Sequence, residues 1–425
     1  MNDSTVSCSP DPTRWPDVAA APAGRLSGIR ARAAMWLFRR AVGKLDIRVE
    51  YPHGADAGPA TGRIQPRMII RRPDQFARRV GSTGLIGFGE SFMAGDWTTD
   101  DLVGVLTPFA EQASTLIPPA LQHLRRLVLP SRPAAEANTQ ANSRRHIAAH
   151  YDLSDELFAT FLDETMSYSS GLFDGPPLAA AWPDLVAAQH RKIDRLLDLA
   201  GVGPGTRLLE IGTGWGELCL RAGARGAMVT SVTLSAHQRD LARRRVAEAG
   251  LSDRVSIELL DYREVTGTYD AVVSVEMIEA VGAQYWPAYF EQLDHVLRPH
   301  GRVAIQAITM PHDRMSVSHN TYTWVQKYIF PGGQLPSVDA LAETAARHSH
   351  LRLTSSMAFG THYAQTLKLW RERFDAHHDD VRRLGFDRTF ERMWRFYLAY
   401  SEAGFRAGYL DVHQLVFTRP TEVTR

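Results

Sequence analysis

The sequence has few cysteines and no long apolar run. Its 425 residues include only Cys8 and Cys219. One lies near the N-terminus and the other in a predicted buried helix, so a disulfide is not expected and a reducing cytoplasm fits. No stretch approaches the ~18 apolar residues that a transmembrane helix needs, and the polar start lacks the charged and apolar regions of a signal peptide. These absences predict a soluble, cytoplasmic protein.

The sequence also lacks a charge bias. Its 48 Lys and Arg residues nearly balance 47 Asp and Glu residues, for a net charge of +1, so bulk charge does not favour a nucleic-acid partner. The 16 histidines are scattered without the spacing of metal ligands, and no metal site is predicted. With 44% hydrophobic residues, the chain is long enough for two globular domains.

A glycine-rich turn is the clearest motif. Residues 208–211 predict a short buried strand, glycines follow at every second position from Gly212 to Gly216, and a helix begins at Glu217. Glycines in such a turn allow a ligand to lie against the backbone. A dinucleotide-binding fingerprint would need glycine where Glu217 stands. The alternative is a tight strand–helix connection that binds nothing.

Strands and helices alternate on both sides of this turn. The alternation predicts an α/β fold with an open, mainly parallel, doubly wound sheet, whose ligands bind at the carboxyl ends of the strands. Those ends are Gly212, Thr233, Asp261, Glu276 and Gln306. The predicted strands are 208–211, 228–233, 255–260, 269–275, 303–308 and 415–417, and the helices are 189–200, 236–249, 286–297, 361–377 and 390–403.

The N-terminal part predicts a smaller α+β domain. A helix over 25–44 has arginines around Ile29 and Trp36, and such a basic amphipathic helix can lie on an anionic membrane. A packing helix with a solvated basic face is the alternative. Short strands are predicted at 45–51 and 68–71, and a second basic apolar segment at 121–132. The expected organisation is a flexible leader (1–24), a lipid- or membrane-associating domain (25–130), a Pro- and Ser-rich linker (131–143) and a larger domain (144–425) with an aromatic insertion around 311–337.

Several motifs support a family resemblance. They are His150-Tyr-Asp-Leu, Met166-Ser-Tyr-Ser, Val273-Ser-Val-Glu-Met-Ile-Glu, Lys327-Tyr-Ile-Phe-Pro-Gly-Gly and Ala403-Gly-Phe-Arg. Together with the Glu-x-Gly-x-Gly-x-Gly spacing from Glu210, they resemble cyclopropane-fatty-acyl-phospholipid synthases, which are S-adenosylmethionine-dependent methyltransferases. The resemblance covers residues 145–419 and implies the Rossmann-like, seven-stranded class I methyltransferase fold. The segment Gln306–His312 is closest to the actinobacterial branch that makes tuberculostearic acid.

The resemblance implies a set of cofactor-binding residues. Tyr168 and Ser169 would close over S-adenosylmethionine, and the glycine turn would pack against its methionine part. Many methyltransferases bind the ribose with an acidic residue after the second strand, where this chain has hydroxyl and amide groups; Gln238 as an ordinary exposed helix residue is the alternative. The full set is Tyr168, Ser169, Glu210, Gly212, Gly214, Gly216, Thr233, Leu234, Gln238, Tyr262 and Arg263.

The resemblance also implies a reaction. The family adds the sulfonium methyl to the cis double bond of an acyl chain in a phospholipid, and a bound bicarbonate ion removes a proton from the resulting carbocation. The residues matching the anion site are Ser170, Glu279, Gln306, Ile308 and Tyr363. An unpaired carboxylate among apolar neighbours is unfavourable, so Glu279 predicts a functional partner. Tyr363 could instead be a packed aromatic.

Three positions depart from the family pattern. The family commonly has Cys at Ser170 and His at Gln306, and a further family cysteine aligns with Ser401. Unlike histidine, Gln306 cannot carry a proton near neutral pH, so the usual proton path is not expected. We therefore expect a 10-methylene acyl product, reduced afterwards by a separate reductase, because nothing resembles a nicotinamide or flavin site.

Other functions remain open at this stage. A cyclopropane synthase, a small-molecule methyltransferase on the same fold and an inactive lipid-binding homologue are the alternatives. The expected partners are phospholipid acyl chains at the inner face of the cell membrane, with the protein peripheral to that membrane. A homo-oligomer is neither predicted nor excluded.

Overall fold

The structure is a computed structural model that describes residues 9–52, 54, 56–59, 64–113, 154–318 and 321–420. Along these ranges the helices are α1 (Pro16–Ala19), α2 (Arg25–Val42), α3 (Pro73–Thr83), α4 (Leu85–Ala94), α5 (Leu102–Glu111), α6 (Asp155–Phe161), α7 (Leu185–Ala200), α8 (Glu217–Ala224), α9 (Ala236–Glu248), α10 (Ile278–Val281), α11 (Trp286–Val296), α12 (His312–Ser318), α13 (Trp324–Tyr328), α14 (Val338–His348), α15 (Gly360–Ala376), α16 (His378–Arg383) and α17 (Arg388–Arg406). The strands are β1 (Arg48–Glu50), β2 (Asp56–Ala57), β3 (Arg67–Ile70), β4 (Trp97–Thr98), β5 (Arg207–Ile211), β6 (Met228–Thr233), β7 (Val255–Leu259), β8 (Tyr269–Val275), β9 (Leu297–Thr309), β10 (Arg352–Ala358) and β11 (Asp411–Thr418).

The chain folds into two compact units. The second unit holds the described residues of Pro133–Asn320 with Phe330–Trp370 and Gly408–Arg425. The first unit holds those of Met1–Arg132 with Thr321–Ile329 and Arg371–Ala407. Two segments of the C-terminal half therefore belong to the first unit, which a single boundary at a linker does not predict. The predicted linker at 131–143 and the basic segment at 121–132 lie outside the described residues.

The second unit is built on a seven-stranded sheet with the order β10-β11-β9-β8-β5-β6-β7. Strands β5 to β9 pair in parallel, and β11 pairs antiparallel with both β9 and β10. The central strand β8 is mostly buried and apolar, because helices cover both faces of such a sheet, whereas the edge strand β7 has exposed residues as well as buried ones. The predicted α/β, doubly wound, mainly parallel fold is confirmed.

Two features of this sheet differ from the prediction. Strand β10 was not predicted: it is an edge strand whose residues are mostly exposed, so it lacks the apolar run that marks a buried strand. Strand β9 begins at Leu297, six residues before the predicted start at Val303. The register pairs Val275 with Gln306 and Gln306 with Gln414, which brings three strands together beside Glu276.

A buried arginine fixes the N-terminal part of the first unit. Arg79 on α3 is 1% exposed. Its Nε donates to Asp96 Oδ2 at 3.0 Å, and its Nη1 and Nη2 donate to the carbonyl oxygens of Asp17 and Val18 at 2.8 and 2.7 Å. A buried charge is tolerated when it is paired and hydrogen-bonded. The same contacts give part of the leader predicted to be flexible a defined structure, in which α1 forms and Val18 is buried.

Helix α17 contributes aromatic packing to the same unit. The ring of Phe396 lies 5.5 Å from that of Phe92 and 6.4 Å from that of Phe88. Arg392 donates to the carbonyl oxygens of Phe92 and Trp97 at 2.6 and 3.0 Å. Residues from the last quarter of the chain thus complete the core around α4. In the described ranges, no helix combines the length and the apolarity needed to cross a membrane.

Candidate active site

The glycine turn follows β5 as the sequence predicts. Gly212, Gly214 and Gly216 have φ values of +95°, +54° and +93°, a region that glycine occupies at little cost. A Cβ at Gly214 would meet no atom within 4 Å, whereas one at Gly216 would lie 2.9 Å from the Cβ of Ala242. Gly214 therefore leaves open space beside the turn, and Gly216 permits close packing against α9.

Glu210 lies buried under this turn. Its Oε2 accepts hydrogen bonds from Ser231 Oγ and Cys219 Sγ, both at 2.6 Å. Burial raises the pKa of Glu210 to about 7 and holds the pKa of the Cys219 thiol well above its ordinary value. The thiol is therefore an inert donor that helps to hold Glu210.

The ends of β6 and β7 supply polar groups. Thr233 Oγ1 donates to Gln238 Oε1 at 3.1 Å, and Gln238 is buried, so it is not an exposed helix residue. The buried carboxylate of Asp261 accepts two bonds from the Arg263 guanidinium, at 2.9 and 2.7 Å. The guanidinium carbon lies 5.5 Å from the ring centre of Tyr262. Burial raises the pKa of Tyr262 to about 12, so the phenol stays neutral.

A buried lysine fixes the segment that carries Tyr168 and Ser169. Lys192 on α7 is 1% exposed, and its Nζ donates to Ser169 Oγ at 2.5 Å and to the Ser170 carbonyl at 3.4 Å. Burial lowers the pKa of Lys192 to about 8. The ring of Tyr168 lies 5.1 Å from that of Phe158 and 5.4 Å from that of Trp370, so it is held among aromatic neighbours.

These groups surround one cavity of about 200 Å³. Its lining includes every predicted cofactor residue except Gly216, together with Lys192, Trp215 and the strand-end residue Glu276. Tyr262 has a buried hydroxyl with no hydrogen-bond partner among the described residues. The predicted cofactor residues that line the cavity are Tyr168, Ser169, Glu210, Gly212, Gly214, Thr233, Leu234, Gln238, Tyr262 and Arg263.

The carboxylate of Glu276 collects three donors at one side of this cavity. Its Oε1 accepts from the Ser170 backbone N–H at 2.9 Å and from Gln306 Nε2 at 2.8 Å. Its Oε2 accepts from the Tyr363 hydroxyl at 2.8 Å. The positive charge of Lys192 favours ionisation of Glu276, but burial dominates and raises its pKa. Tyr363 is thus a hydrogen-bond donor as well as a packed aromatic.

Glu279 lies three residues further along and is less well satisfied. Its Oε1 accepts a bond from the Ile308 backbone N–H, whereas Oε2 is buried with no partner among the described residues. Burial, reinforced by the negative charge of Glu276, raises the pKa of Glu279 to about 8. Two buried carboxyl groups this close do not readily ionise together.

Gln306 connects this pair to β11. Its Nε2 donates to Glu276, and its Oε1 accepts from Gln414 Nε2 at 3.1 Å. Gln414 Oε1 in turn accepts from Arg195 Nη1 at 2.5 Å. The amide of Gln306 is therefore held in one orientation, with both of its polar atoms engaged.

Comparison with known proteins identifies the family. Residues 138–415 match the family described as mycolic acid cyclopropane synthetase. The chain belongs to this family. Over 98% of its length it is 54% identical to tuberculostearic acid methyltransferase of Mycobacterium tuberculosis, covering 97% of that protein. Over 86% it is 34% identical to cyclopropane-fatty-acyl-phospholipid synthase of Escherichia coli, covering 91% of that protein.

Solved structures of the mycolic acid cyclopropane synthetase family share the fold. The cyclopropane synthase MmaA2 of Mycobacterium tuberculosis matches 64% of this chain and 97% of its own, with a TM-score of 0.59 and 30% identity. A mycolic acid cyclopropane synthase complexed with SAH and CTAB matches 67% of this chain and 98% of its own, with a TM-score of 0.59 and 29% identity. The predicted resemblance and the enzyme class, an S-adenosylmethionine-dependent methyltransferase, are confirmed.

Two polar residues of the site, Glu276 and Lys192, had no functional role assigned from sequence, although Glu276 was named as a strand end. Glu276 follows an apolar strand as Glu279 does, so the signal that selected Glu279 applied to it equally. Lys192 stands at a core position of α7, between Ala188 and Leu196, where a charged residue is unusual. The signal that could have identified Glu276 and Lys192 is that each is a single charged residue in an otherwise apolar pattern.

The resemblance implies two bound groups, S-adenosylmethionine and a bicarbonate ion. The open space at Gly214 and the buried Tyr262 hydroxyl fit a nucleoside cofactor lying against the glycine turn. The predicted bicarbonate does not fit, because its expected donors are taken: Ser170, Gln306 and Tyr363 donate to Glu276, and Ile308 donates to Glu279. A bicarbonate ion bound at this place would lie beside the carboxyl groups of Glu276 and Glu279.

Proposed function

We propose that this methyltransferase acts on the cis double bond of an unsaturated, oleoyl-type acyl chain esterified in a phospholipid, and that it produces a 10-methylene chain. The observation that carries the proposal is the pair Glu276 and Glu279 at the end of β8, since Glu276 lines the same cavity as the glycine turn. The name of the 54% identical relative, tuberculostearic acid methyltransferase, supports this substrate and product.

The cavity residues would hold the methyl donor. S-adenosylmethionine, when bound, supplies an electrophilic methyl group on a positively charged sulfur. Gly212 and Gly214 would allow its methionine part to lie against the backbone. Thr233 and Gln238 would meet the ribose hydroxyls, and Tyr262 with Arg263 the adenine.

Aromatic side chains would protect the reacting carbons. An alkene is a weak nucleophile, so the enzyme must align it with the methyl group and keep water from the carbocation that follows. Tyr168 lines the cavity, and Phe158 and Trp370 pack against its ring. These rings form a rigid apolar wall that suits this purpose.

The product depends on where the positive charge lies when a proton leaves. The alkene electron pair would form the new C–C bond as the methyl C–S bond breaks and its electrons remain on sulfur, and the positive charge would appear on the neighbouring carbon. Loss of a methyl proton at that stage closes a cyclopropane ring. If a hydride first moves from the methylated carbon to its neighbour, loss of the same proton gives the methylene group. Gln306 is hydrogen-bonded to both Glu276 and Gln414, and it is a neutral donor rather than a proton carrier. This favours a product different from that of family members that have histidine at this position.

A cyclopropane ring is the second candidate product, because the 34% identical relative is named as a cyclopropane-fatty-acyl-phospholipid synthase. The methylene product would be reduced to the 10-methyl chain by a separate reductase. No step is assigned to bicarbonate, because the groups expected to bind it are engaged by carboxylates. An inactive lipid-binding homologue would bind vesicles without binding S-adenosylmethionine, and calorimetry separates that alternative.

Helix α2 supports action at a membrane surface. Leu26, Ile29 and Trp36 are 73%, 64% and 59% exposed, and they lie on one face of the helix. The arginines at 25, 30, 32, 39 and 40 are also exposed, and the Arg40 guanidinium lies 5.9 Å from the Trp36 ring centre. An exposed apolar stripe flanked by arginines suits an anionic bilayer, where the protein would be peripheral.

The test is the reaction itself. Purified protein is incubated with vesicles of oleoyl phospholipid and methyl-deuterated S-adenosylmethionine, and the acyl chains are released and analysed by mass spectrometry. Methylene and cyclopropane products are isomers, so fragmentation after mild hydrogenation must distinguish them. We expect a labelled 10-methylene chain with wild-type protein and less of it with Glu279→Gln. A cyclopropane product would refute the branch assignment, and an unmodified chain would refute the proposed function.

A further inference from the structure

Glu276 occupies a backbone conformation that glutamate rarely adopts. Its φ of +47° lies in the left-handed region, which is uncommon for non-glycine residues. Such strain persists where the surroundings enforce it and tends to occur at functional sites. Here the enforcing contacts are the three hydrogen bonds to its carboxylate from Ser170, Gln306 and Tyr363.

The position of the carboxylate suits proton transfer. Glu276 lines the cavity together with Ser169 and the glycine turn, so it faces the space where the methyl group would be delivered. Its donors come from three separate parts of the second unit, and they fix the carboxylate in one place. Burial raises the pKa of Glu276, which increases its affinity for a proton, and the positive charge of Lys192 acts in the opposite direction and favours the ionised form.

We propose that the carboxylate of Glu276 is the proton acceptor of the reaction, in place of the bound bicarbonate ion that the family resemblance implies. This rests on the proposed function. After a hydride has moved from the methylated carbon to its neighbour, the positive charge lies on the methylated carbon. The cation then loses a proton from the added methyl group, the C–H electron pair forms the new C=C bond, and the proton is bound by a Glu276 oxygen. Charge is conserved, because the carboxylate becomes neutral as the cation becomes an uncharged alkene.

The role of Glu279 in this scheme is to position rather than to accept. Glu279 does not line the cavity, and its Oε1 is bound to the Ile308 N–H. Its negative charge, when present, raises the proton affinity of Glu276, as like charges do. Glu279 therefore modulates the proton affinity of Glu276, which is the group proposed to contact the substrate.

The experiment compares Glu276→Gly with Glu276→Gln. Glycine suits a φ of +47°, so Glu276→Gly should fold while leaving space beside Ser170, Gln306 and Tyr363. We expect both variants to bind S-adenosylmethionine and to lose about 10²- to 10⁴-fold in turnover, the range for lost acid–base groups. Added formate, acetate or bicarbonate should restore activity roughly tenfold or more in Glu276→Gly and not in Glu276→Gln, and among the rescuing acids the rate should follow basicity.

Wild-type protein provides a second measurement that does not depend on any variant. Its turnover should be unchanged in carbon-dioxide-free buffer. A wild-type rate that disappears without bicarbonate, or a Glu276→Gly variant as active as wild type without added anion, would overturn the inference. Absence of any acyl methylation by wild-type protein would instead overturn the proposed function, so the two failures are distinguishable.

Discussion

Replacing Glu279 by glutamine should stabilise the protein at neutral and alkaline pH while it lowers turnover. The pKa of Glu279 is raised from its ordinary value of 4.5 to about 8. An acid whose folded pKa exceeds its unfolded pKa stabilises the fold at low pH, and that contribution is lost as the pH rises from 4.5 to 8. Each pKa unit corresponds to ~1.4 kcal/mol, so wild type should lose roughly 3 to 4 kcal/mol between pH 5 and pH 8 through this residue.

Glutamine removes that loss because it cannot ionise. Its amide oxygen can still accept the bond from the Ile308 N–H. The assay is urea denaturation of both proteins without cofactor at pH 5 and pH 8. We expect the free energy of unfolding of Glu279→Gln to exceed that of wild type by a few kcal/mol at pH 8, with little difference at pH 5. Groups such as Lys192 and Glu210 titrate in both proteins and largely cancel in the difference.

Turnover of Glu279→Gln should fall by less than that of Glu276→Gln, because Glu279 acts on the proton affinity of Glu276 and does not itself line the cavity. The reasoning would be refuted by a stability difference that is the same at both pH values, or by a variant that is less stable than wild type at pH 8. Either outcome would mean that Glu279 is not held as an uncompensated buried carboxyl group.

Three further predictions test other parts of the molecule. Replacing Cys8 and Cys219 by serine should keep turnover within a few-fold, since a serine hydroxyl can take over the Cys219 bond to Glu210; a loss of ~10³-fold with folding intact would contradict the absence of thiol chemistry. Gly216→Ala should lower the free energy of unfolding by roughly 1 to 3 kcal/mol, because its Cβ would lie 2.9 Å from that of Ala242 and overpacking has this cost. The matched control Gly214→Ala, whose Cβ meets nothing within 4 Å, should mainly weaken cofactor binding, and equal destabilisation of the two would refute this. Changing Arg32, Arg39 and Arg40 on α2 to glutamine should reduce binding to anionic vesicles by about 1 kcal/mol for each residue, measured by sedimentation at low salt. The control variant changes Arg244, Arg254 and Arg347, and the same loss there would show that α2 has no special role.

Residues with a strong local pattern were predictable from sequence. The glycine turn and the apolar strands β5 to β9 follow from buried runs broken by glycine, and the site residues follow from the carboxyl ends of those strands. Edge strand β10 has no such pattern. Helix α4 has glycines at 87 and 89 whose added Cβ atoms would clash with the Arg79 carbonyl and the Trp324 ring. Those glycines serve close packing rather than a turn, and only tertiary structure distinguishes the two uses.

The assignment of the anion site could not come from sequence alone. Three of the residues that the resemblance implies for the anion, Ser170, Gln306 and Tyr363, donate to Glu276 in the structure, and the resemblance did not reveal this contact. That depends on a left-handed backbone at one residue and on the register of β8, β9 and β11. Both the backbone conformation and the strand register are set by tertiary structure, and neither can be read from the local amino-acid composition.

The composition of the first unit has a consequence for synthesis of the chain. Phe92 and Arg392 are in contact but are separated by 300 residues, and Phe396 packs against the same aromatic cluster. A ribosome adding 5–20 residues per second would take about 15 to 60 s to make that intervening chain. During this time the apolar rings of α4 lack their partner helix, although α3 and α4 are already complete. We therefore expect the aromatic side chains of α4 that contact α17 to stay exposed until translation is nearly finished.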